Sequence, residues 1–495
     1  MLDAGECKVL VQEKLVAGLK SYASLRLLTQ VASWAGTVYV VRRLDSHALG
    51  QYGVALVVFN YLSMTYDGTL VEALVQRPPG TLAERRALFT VLVGIGLALA
   101  GATAGASGLI AGLVDDRSIA PMVAAVALAL VLMSLCVLPH ARLAREMDFR
   151  RLATIGAIQA ISVTLATVLL AWSGAGAWAL IAGLVVGAAV RLLMLNAATW
   201  GMTLPTLRVS PAFSYLKFGG TLFVDNILWR WYTSLDTFLL GRWTGTTSLG
   251  FYSLAQQVAE LPLEKISTVV NDVSLPAYVH LSGDRSAAAR LLLETIRTHA
   301  TLGFPVFWGL AVIAPYLVPT LFGIKWTLAI FPLVALATVA PLRLIGSIET
   351  PAMTGLGCPE VLVKTKLVIA PCMTLALVVG CYLGGINGAA LAWLMAFPVC
   401  YGAAFRFVIR AAGTSYREVL RAIGGPAAAA ASMVALVLLW SRVAARMGAV
   451  PLFILVTGIA LGMLSYAAAL WVIDPETFRL AHIRVGRFLG LRQPT

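Results

Sequence analysis

Charge is what this chain has least of. Asp, Glu, Lys and Arg together make up 12% of its 495 residues, about half the share found in soluble globular domains, and that scarcity excludes a water-soluble fold. No polar stretch is long enough to fold as a soluble domain of catalytic size. The six cysteines (Cys7, Cys136, Cys358, Cys372, Cys381 and Cys400) show no CxxC spacing, so neither a disulfide framework nor a metal site is expected. No GxxxxGK[ST] loop or other glycine-rich phosphate cradle occurs, which argues against ATP hydrolysis. No cofactor is expected. Asp3, Glu6, Lys8, Glu13 and Lys14 give the start the wrong charge pattern for a cleaved secretory signal.

What the chain has instead is apolar length. Hydrophobic residues make up 59% of it, and a bilayer core asks for roughly 20 of them per helix. Fourteen segments meet that need: 24–41, 49–66, 88–109, 119–138, 152–172, 175–195, 218–240, 248–270, 298–322, 328–347, 361–383, 385–408, 423–440 and 450–473. Most of the 37 Lys and Arg fall in the tails and in the loops on one side, which places both termini in the cytosol. That bias also explains the net charge of +14 without nucleic-acid binding, because the basic residues are spread over short loops and form no single patch.

A phrase is written twice, 200 residues apart: "ALGQYGVALVV" from Ala48 and "SLGFYSLAQQV" from Ser248. Each copy opens an even-numbered segment, the second and the eighth, six positions apart. A weaker echo, "GAWALIAG" from Gly176 and "GAALAWLM" from Gly388, repeats the period. Six being even, both halves enter the membrane in the same direction, and the expected fold is an all-α polytopic membrane protein of two parallel six-helix lobes plus two further helices. The boundaries read as a cytosolic amphipathic lead-in over 1–23, an N-terminal lobe over 24–200, a linker over 201–217, a C-terminal lobe over 218–410, the thirteenth and fourteenth helices over 411–473, and a basic cytosolic tail over 474–495. Gly50 and Gly250 read as permitting the turn, and Tyr52 and Tyr252 as anchors near the membrane interface.

Ionisable residues inside a bilayer are costly and mark functional sites by default. In the seventh segment Asn226, Arg230, Thr233 and Thr237 share one helical stripe, within about 60° of arc. Subtracting the repeat lands on Arg26, Gln30, Ser33 and Thr37, which are also polar. The eighth segment carries Gln256, Glu260, Glu264, Ser267 and Asn271 on one face, of which the second segment keeps only Asn60 and Asp67. Asp225, Trp229, Tyr232 and Asp236 form a neighbouring stripe of alternating acids and aromatics, and Arg343 and Glu349 lie near the tenth segment, which Pro332 and Pro341 loosen. Guanidinium groups bind phosphate and diphosphate through paired hydrogen bonds, and aromatic faces suit sugar rings. Candidate substrate residues are therefore Arg26, Gln30, Arg230, Trp229, Tyr232 and Arg343; candidate ion-coupling residues are Asp225, Asp236, Glu260, Glu264 and Asp67. The plain alternative is structural pairing of Arg230 with Asp225 or Asp236 and of Lys265 with Glu260 or Glu264, or snorkelling of Glu264 and Lys265.

The run "RRLDSHALGQYGVALVVFNYLSMTYDGTLVEALVQR" from Arg42 to Arg77 resembles the opening of Wzx-type flippases of the polysaccharide transporter family, in the multidrug/oligosaccharidyl-lipid/polysaccharide superfamily. "LDTFLLGRWTGTTSLGFYSLAQQV" from Leu235, "LPAYVHLSGDR" from Leu275 and "APYLVPTLFGIKW" from Ala314 continue the resemblance, which is closest to exporters of the colanic-acid and exopolysaccharide type. It implies a MATE/MOP-like transporter, not an enzyme, that moves undecaprenyl-diphosphate-linked oligosaccharides across the bacterial cytoplasmic (inner) membrane by alternating access of a cation-lined cavity. It also implies membrane lipids, a polysaccharide polymerase and a chain-length regulator as partners, and a lipid-tail groove at the last two helices. A multidrug antiporter or lipid II flippase of the same superfamily, and an oligosaccharide polymerase, are the alternatives.

Overall fold

In the computed structural model the chain is described over residues 29–66, 70, 71, 74, 80–146, 148–199, 205–212, 220–281 and 284–480. Those residues are overwhelmingly helical and contain no strand. Among the described residues these helices follow in order: α1 over 29–43, α2 Ser46–Thr65, α3 Leu82–Leu113, α4 Ile119–Arg145, α5 Phe149–Trp172, α6 Ala177–Thr199, α7 Gly220–His280, α8 Arg285–Leu321, α9 Ile330–Gly346, α10 Glu349–Gly355, α11 Glu360–Ala412, α12 Tyr416–Arg446 and α13 Pro451–Ile473. Among the described residues nine helices are long and apolar enough to cross a membrane, by length and composition, with α11 counted once. The chain is a multi-pass membrane protein. Each of the fourteen expected segments overlaps one of these helices, with ends that differ, so nine candidate spans stand against the fourteen expected; the first residues of the 24–41 and 218–240 segments lie outside the described residues together with the 1–23 lead-in.

The chain divides into two compact units, one of Met1–Asn226 with Gly245–Thr247, the other of Ile227–Thr244 with Ser248–Thr495. In the first unit α4 packs on α2, α3 and α6, and α5 on α6. Its helices approach closely where side chains are small, as membrane helices do for lack of a hydrophobic drive between them. Gly183 and Gly187 of α6 face Thr167 and Val163 of α5, Gly96 of α3 faces Ser134 of α4, and Gly36 of α1 faces Thr164 of α5. In the loop before α4, partial burial pushes the Asp116 carboxyl up, but hydrogen bonds from Ser118 and Gln51 and the neighbouring His47 outweigh it and hold the group below the usual carboxylate range.

In the second unit α8 packs on α9, α12 and α13, and α9 on α11. Two long helices here are bent elbows. A straight helix of the 53 residues of α11 would run about 80 Å, far beyond a hydrocarbon core of about 30 Å. Gly385, at φ 54°, breaks it, in a backbone region open to glycine at little steric cost. The two arms fold back so closely that a Cβ on Gly388 would strike the Gly380 carbonyl. Gly388→Ala is therefore expected to destabilise the protein by about 1–3 kcal/mol, the usual cost of overpacking, read as a lowered thermal midpoint in detergent. An unchanged midpoint would mean the arms separate freely. The same fold-back joins Cys372 and Cys400, one on each arm, in a disulfide with Cα atoms 6.4 Å apart. This corrects the expectation of no disulfide, which rested on local spacing; the elbow makes near neighbours of cysteines 28 residues apart. In α7 the break is at Gly245, at φ 78°. Gly250 lies inside the helix with no positive φ, so the turn permitted by glycine in this half of the repeat is five residues earlier than expected.

Candidate functional site

The α7 elbow builds a polar cluster in the second unit. Asp236 lies on the arm before Gly245 and Tyr252 on the arm after it; in a straight helix they would stand about 24 Å apart, yet the Tyr252 hydroxyl donates to Asp236 Oδ2 at 2.6 Å. Trp393 of α11 donates its indole N–H to the same oxygen at 3.0 Å, and the Thr237 backbone N–H donates to Oδ1 at 2.8 Å. Asp236 is wholly buried, with 0% exposure, and these three donors replace the water it has lost. Tyr252 is equally buried, which corrects its reading as an interfacial anchor: its hydroxyl ties the two arms of α7 together.

Trp393 also carries the second half of the cluster. The Arg343 guanidinium lies over its ring, 4.7 Å from the centroid, and donates to Glu260 Oε1 at 3.2 Å. Gln256 donates to the same oxygen at 3.4 Å. Stacking on the indole face is favourable for the flat guanidinium and fixes its plane. From Trp393 a column of aromatic rings descends α11 at four-residue steps through Phe397, Tyr401 and Phe405, with centroids 5.5, 5.4 and 5.3 Å apart. Tyr232 packs against its head, 6.2 Å from Trp393.

Four candidates of the second unit are thus brought together, Asp236, Glu260 and Arg343 by polar bonds or charge and Tyr232 through Trp393, with Gln256 of the Glu260 stripe beside them. Arg230 is half-buried with its guanidinium 4.7 Å over the Trp229 ring, and Trp229 itself is exposed. Glu264 is exposed. None of the five residues of the α7 stripe from Gln256 to Asn271 is buried, whereas Thr233 and Thr237 of the Arg230 stripe are, so that stripe turns inward along its length. Glu349 is placed away from Arg343's carboxylate partner: it pairs with Lys366 at 3.3 Å and accepts from Thr365 at 3.4 Å. In the first unit Gln30 is half-buried on α1, and Ser33 of its stripe accepts from Thr164 at 3.2 Å. Arg26 and Asp67 lie outside the described residues, and Asp225 is described only as a position on α7. Among the described residues no group of His, Cys, Asp and Glu could hold a metal ion.

Sequence reasoning missed Trp393. It sits within "GAALAWLM", read only as an echo of the repeat, and nothing in helical spacing says that its ring will lie between Asp236 and Arg343.

Comparison with known proteins bears on what such a cluster serves. The chain is 26% identical over 429 residues to the lipopolysaccharide biosynthesis protein WzxC of Escherichia coli (strain K12), covering 84% of this chain and 85% of that one. It is 26% identical to the succinoglycan biosynthesis transport protein ExoT of Rhizobium meliloti (strain 1021), over 72% of each. Among solved structures the lipid II flippase MurJ, in its inward closed conformation, superposes with a TM-score of 0.72 at 15% identity, over 90% of this chain and 98% of that one; this likeness shows the fold. The family model described as "Polysaccharide biosynthesis protein" matches residues 39–331, more than half of the chain. The family expected from the run at Arg42–Arg77 is the family found: the chain belongs to the polysaccharide biosynthesis protein family.

Proposed function

We infer that this protein carries undecaprenyl-diphosphate-linked oligosaccharide units across the bacterial cytoplasmic membrane, for assembly of an exopolysaccharide, capsule or O-antigen, by ion-coupled alternating access. The observation that carries the reading is Arg343, a guanidinium stacked on Trp393 beside Glu260 inside a membrane unit, in a chain whose relatives are named for polysaccharide biosynthesis and transport. A guanidinium plane matches phosphate oxygens two at a time, and the neighbouring rings suit sugar faces. Arg230 on Trp229 repeats the pairing of cation and indole; Arg26, Gln30 and Tyr232 complete the substrate residues in this reading. Of the acids, Glu260 is the foremost ion-coupling group because its side chain is 43% exposed, while Asp236 is enclosed by donors; Asp225, Glu264 and Asp67 stand behind it. Both termini face the cytosol in this reading, and a polymerase and a chain-length regulator act on what is delivered.

The test is lipid analysis of a strain lacking the gene. Diphosphate-linked oligosaccharide gathering on the cytosolic leaflet, with loss of surface polymer, supports the reading and yields the substrate by mass. Normal polymer with new sensitivity to cationic drugs would move the protein to multidrug export. In the complemented strain, Arg230→Ala is expected to lower surface polymer at least about tenfold, equivalent to roughly 1.4 kcal/mol of lost substrate interaction, at normal protein abundance by immunoblot. Full export would remove Arg230 from the substrate path.

A further inference from the structure

We propose that Glu260 is a built-in counter-anion for Arg343, which a phosphate oxygen of the substrate displaces, so that binding the substrate and freeing the Glu260 carboxylate are one event. The inference rests on the diphosphate-linked substrate proposed above and adds how the site is kept and switched.

The two partners of this ion pair are held unequally. Arg343 is 11% exposed, its plane set by the Trp393 ring, and Trp393 is itself pinned by its N–H to Asp236. Glu260 reaches the guanidinium with one oxygen, at 3.2 Å, and leaves 43% of its side chain exposed. The cation is pre-organised, and the anion is held through one oxygen, which Gln256 also reaches at 3.4 Å. Such a half-exposed pair, made through a single oxygen, is weak, so a ligand offering two oxygens to the guanidinium fork outcompetes it. A buried pair in the same unit shows the contrast: Lys366 and Glu349 are 9% and 1% exposed, and Thr365 also donates to the carboxylate.

Displacement changes what Glu260 can do. Its charged and titratable surroundings are Arg343 from α9, Asp236, Tyr252 and the exposed Glu264 from α7, and Cys381 from α11, which lies against Asp236. Arg343 is the cation among them. Substrate arrival on Arg343 therefore leaves the Glu260 carboxylate without its cation and beside Asp236, and substrate departure restores the pair.

The experiment uses full-length protein in detergent, titrated with inorganic diphosphate by calorimetry at fixed ionic strength. Glu260→Gln, which removes the competitor and keeps the shape, is expected to bind diphosphate about fivefold more tightly. Glu260→Ala guards against a folding defect peculiar to the amide and is expected to give the same tightening. Arg343→Ala is expected to lose binding. Diphosphate bound no more tightly by either Glu260 variant than by the wild type overturns the inference and leaves the transport reading standing. Tighter binding of polyprenyl diphosphate in nanodiscs than of inorganic diphosphate identifies the lipid headgroup as the source of the phosphate. A protein that binds neither overturns the inference and the diphosphate-linked substrate together.

Discussion

Arg343→Ala is expected to abolish polymer export, lowering surface polysaccharide by more than about 100-fold, a loss of roughly 2.7 kcal/mol or more, while the protein still inserts. The change strips the cluster of its guanidinium and leaves the Trp393 face without a cation. It also leaves Glu260 without its cation, which for a deeply buried carboxylate would be strongly destabilising; Glu260 is 43% exposed and keeps the Gln256 hydrogen bond, so abundance is expected to hold. Arg343→Lys is expected to recover only part of the export, because an ammonium offers no planar fork for two phosphate oxygens and stacks poorly on indole. The decisive comparison is the double variant Arg343→Ala, Glu260→Gln. If Arg343 served only to neutralise Glu260, the double variant would export as well as Glu260→Gln alone; export below that of Glu260→Gln, with the protein present by immunoblot, places the guanidinium in transport itself.

Asp236→Ala is expected to be the most destabilising single change in the second unit. It removes the shared acceptor of Tyr252 and Trp393 and leaves a hydroxyl and an indole N–H buried without partners, each costing about 1–3 kcal/mol, with a cavity between the two arms of α7. The summed loss of about 3–5 kcal/mol should appear as a lowered thermal midpoint in detergent and reduced yield. Asp236→Asn keeps one acceptor oxygen at the same place and is expected to be markedly milder. An alanine variant as stable as the wild type would mean the three donors find other partners, and would separate Asp236 from any clamping role.

These two outcomes turn on contacts that were unequally legible in the sequence. Glu260 was visible because helical periodicity alone places it on one face with Gln256 and Asn271, and that face is the less buried one. Its partner was not: Arg343 lies 83 residues away, and charge pairing within the helix offered Lys265 instead. Tyr252 was noticed as part of a repeated phrase and misassigned, since a tyrosine near the start of a membrane segment suits an interface until the chain doubles back at Gly245 and buries it. Cys372 and Cys400 failed the test of local spacing for the same reason.

The sequence by itself determined that the chain is a helical multi-pass membrane protein, where its apolar segments run, which family it belongs to, and which stripes carry charge. Those properties are local: hydropathy over about 20 residues and the 3.6-residue period need no knowledge of neighbours. Only the tertiary structure decided that Asp236 is clamped while Glu260 is exposed, that Arg343 stacks on Trp393, and that the two arms of α11 are joined through Cys372 and Cys400. Those facts depend on where the helices bend at Gly245 and Gly385, because a positive φ at one glycine redirects a whole helix arm and thereby chooses partners for side chains tens of residues away.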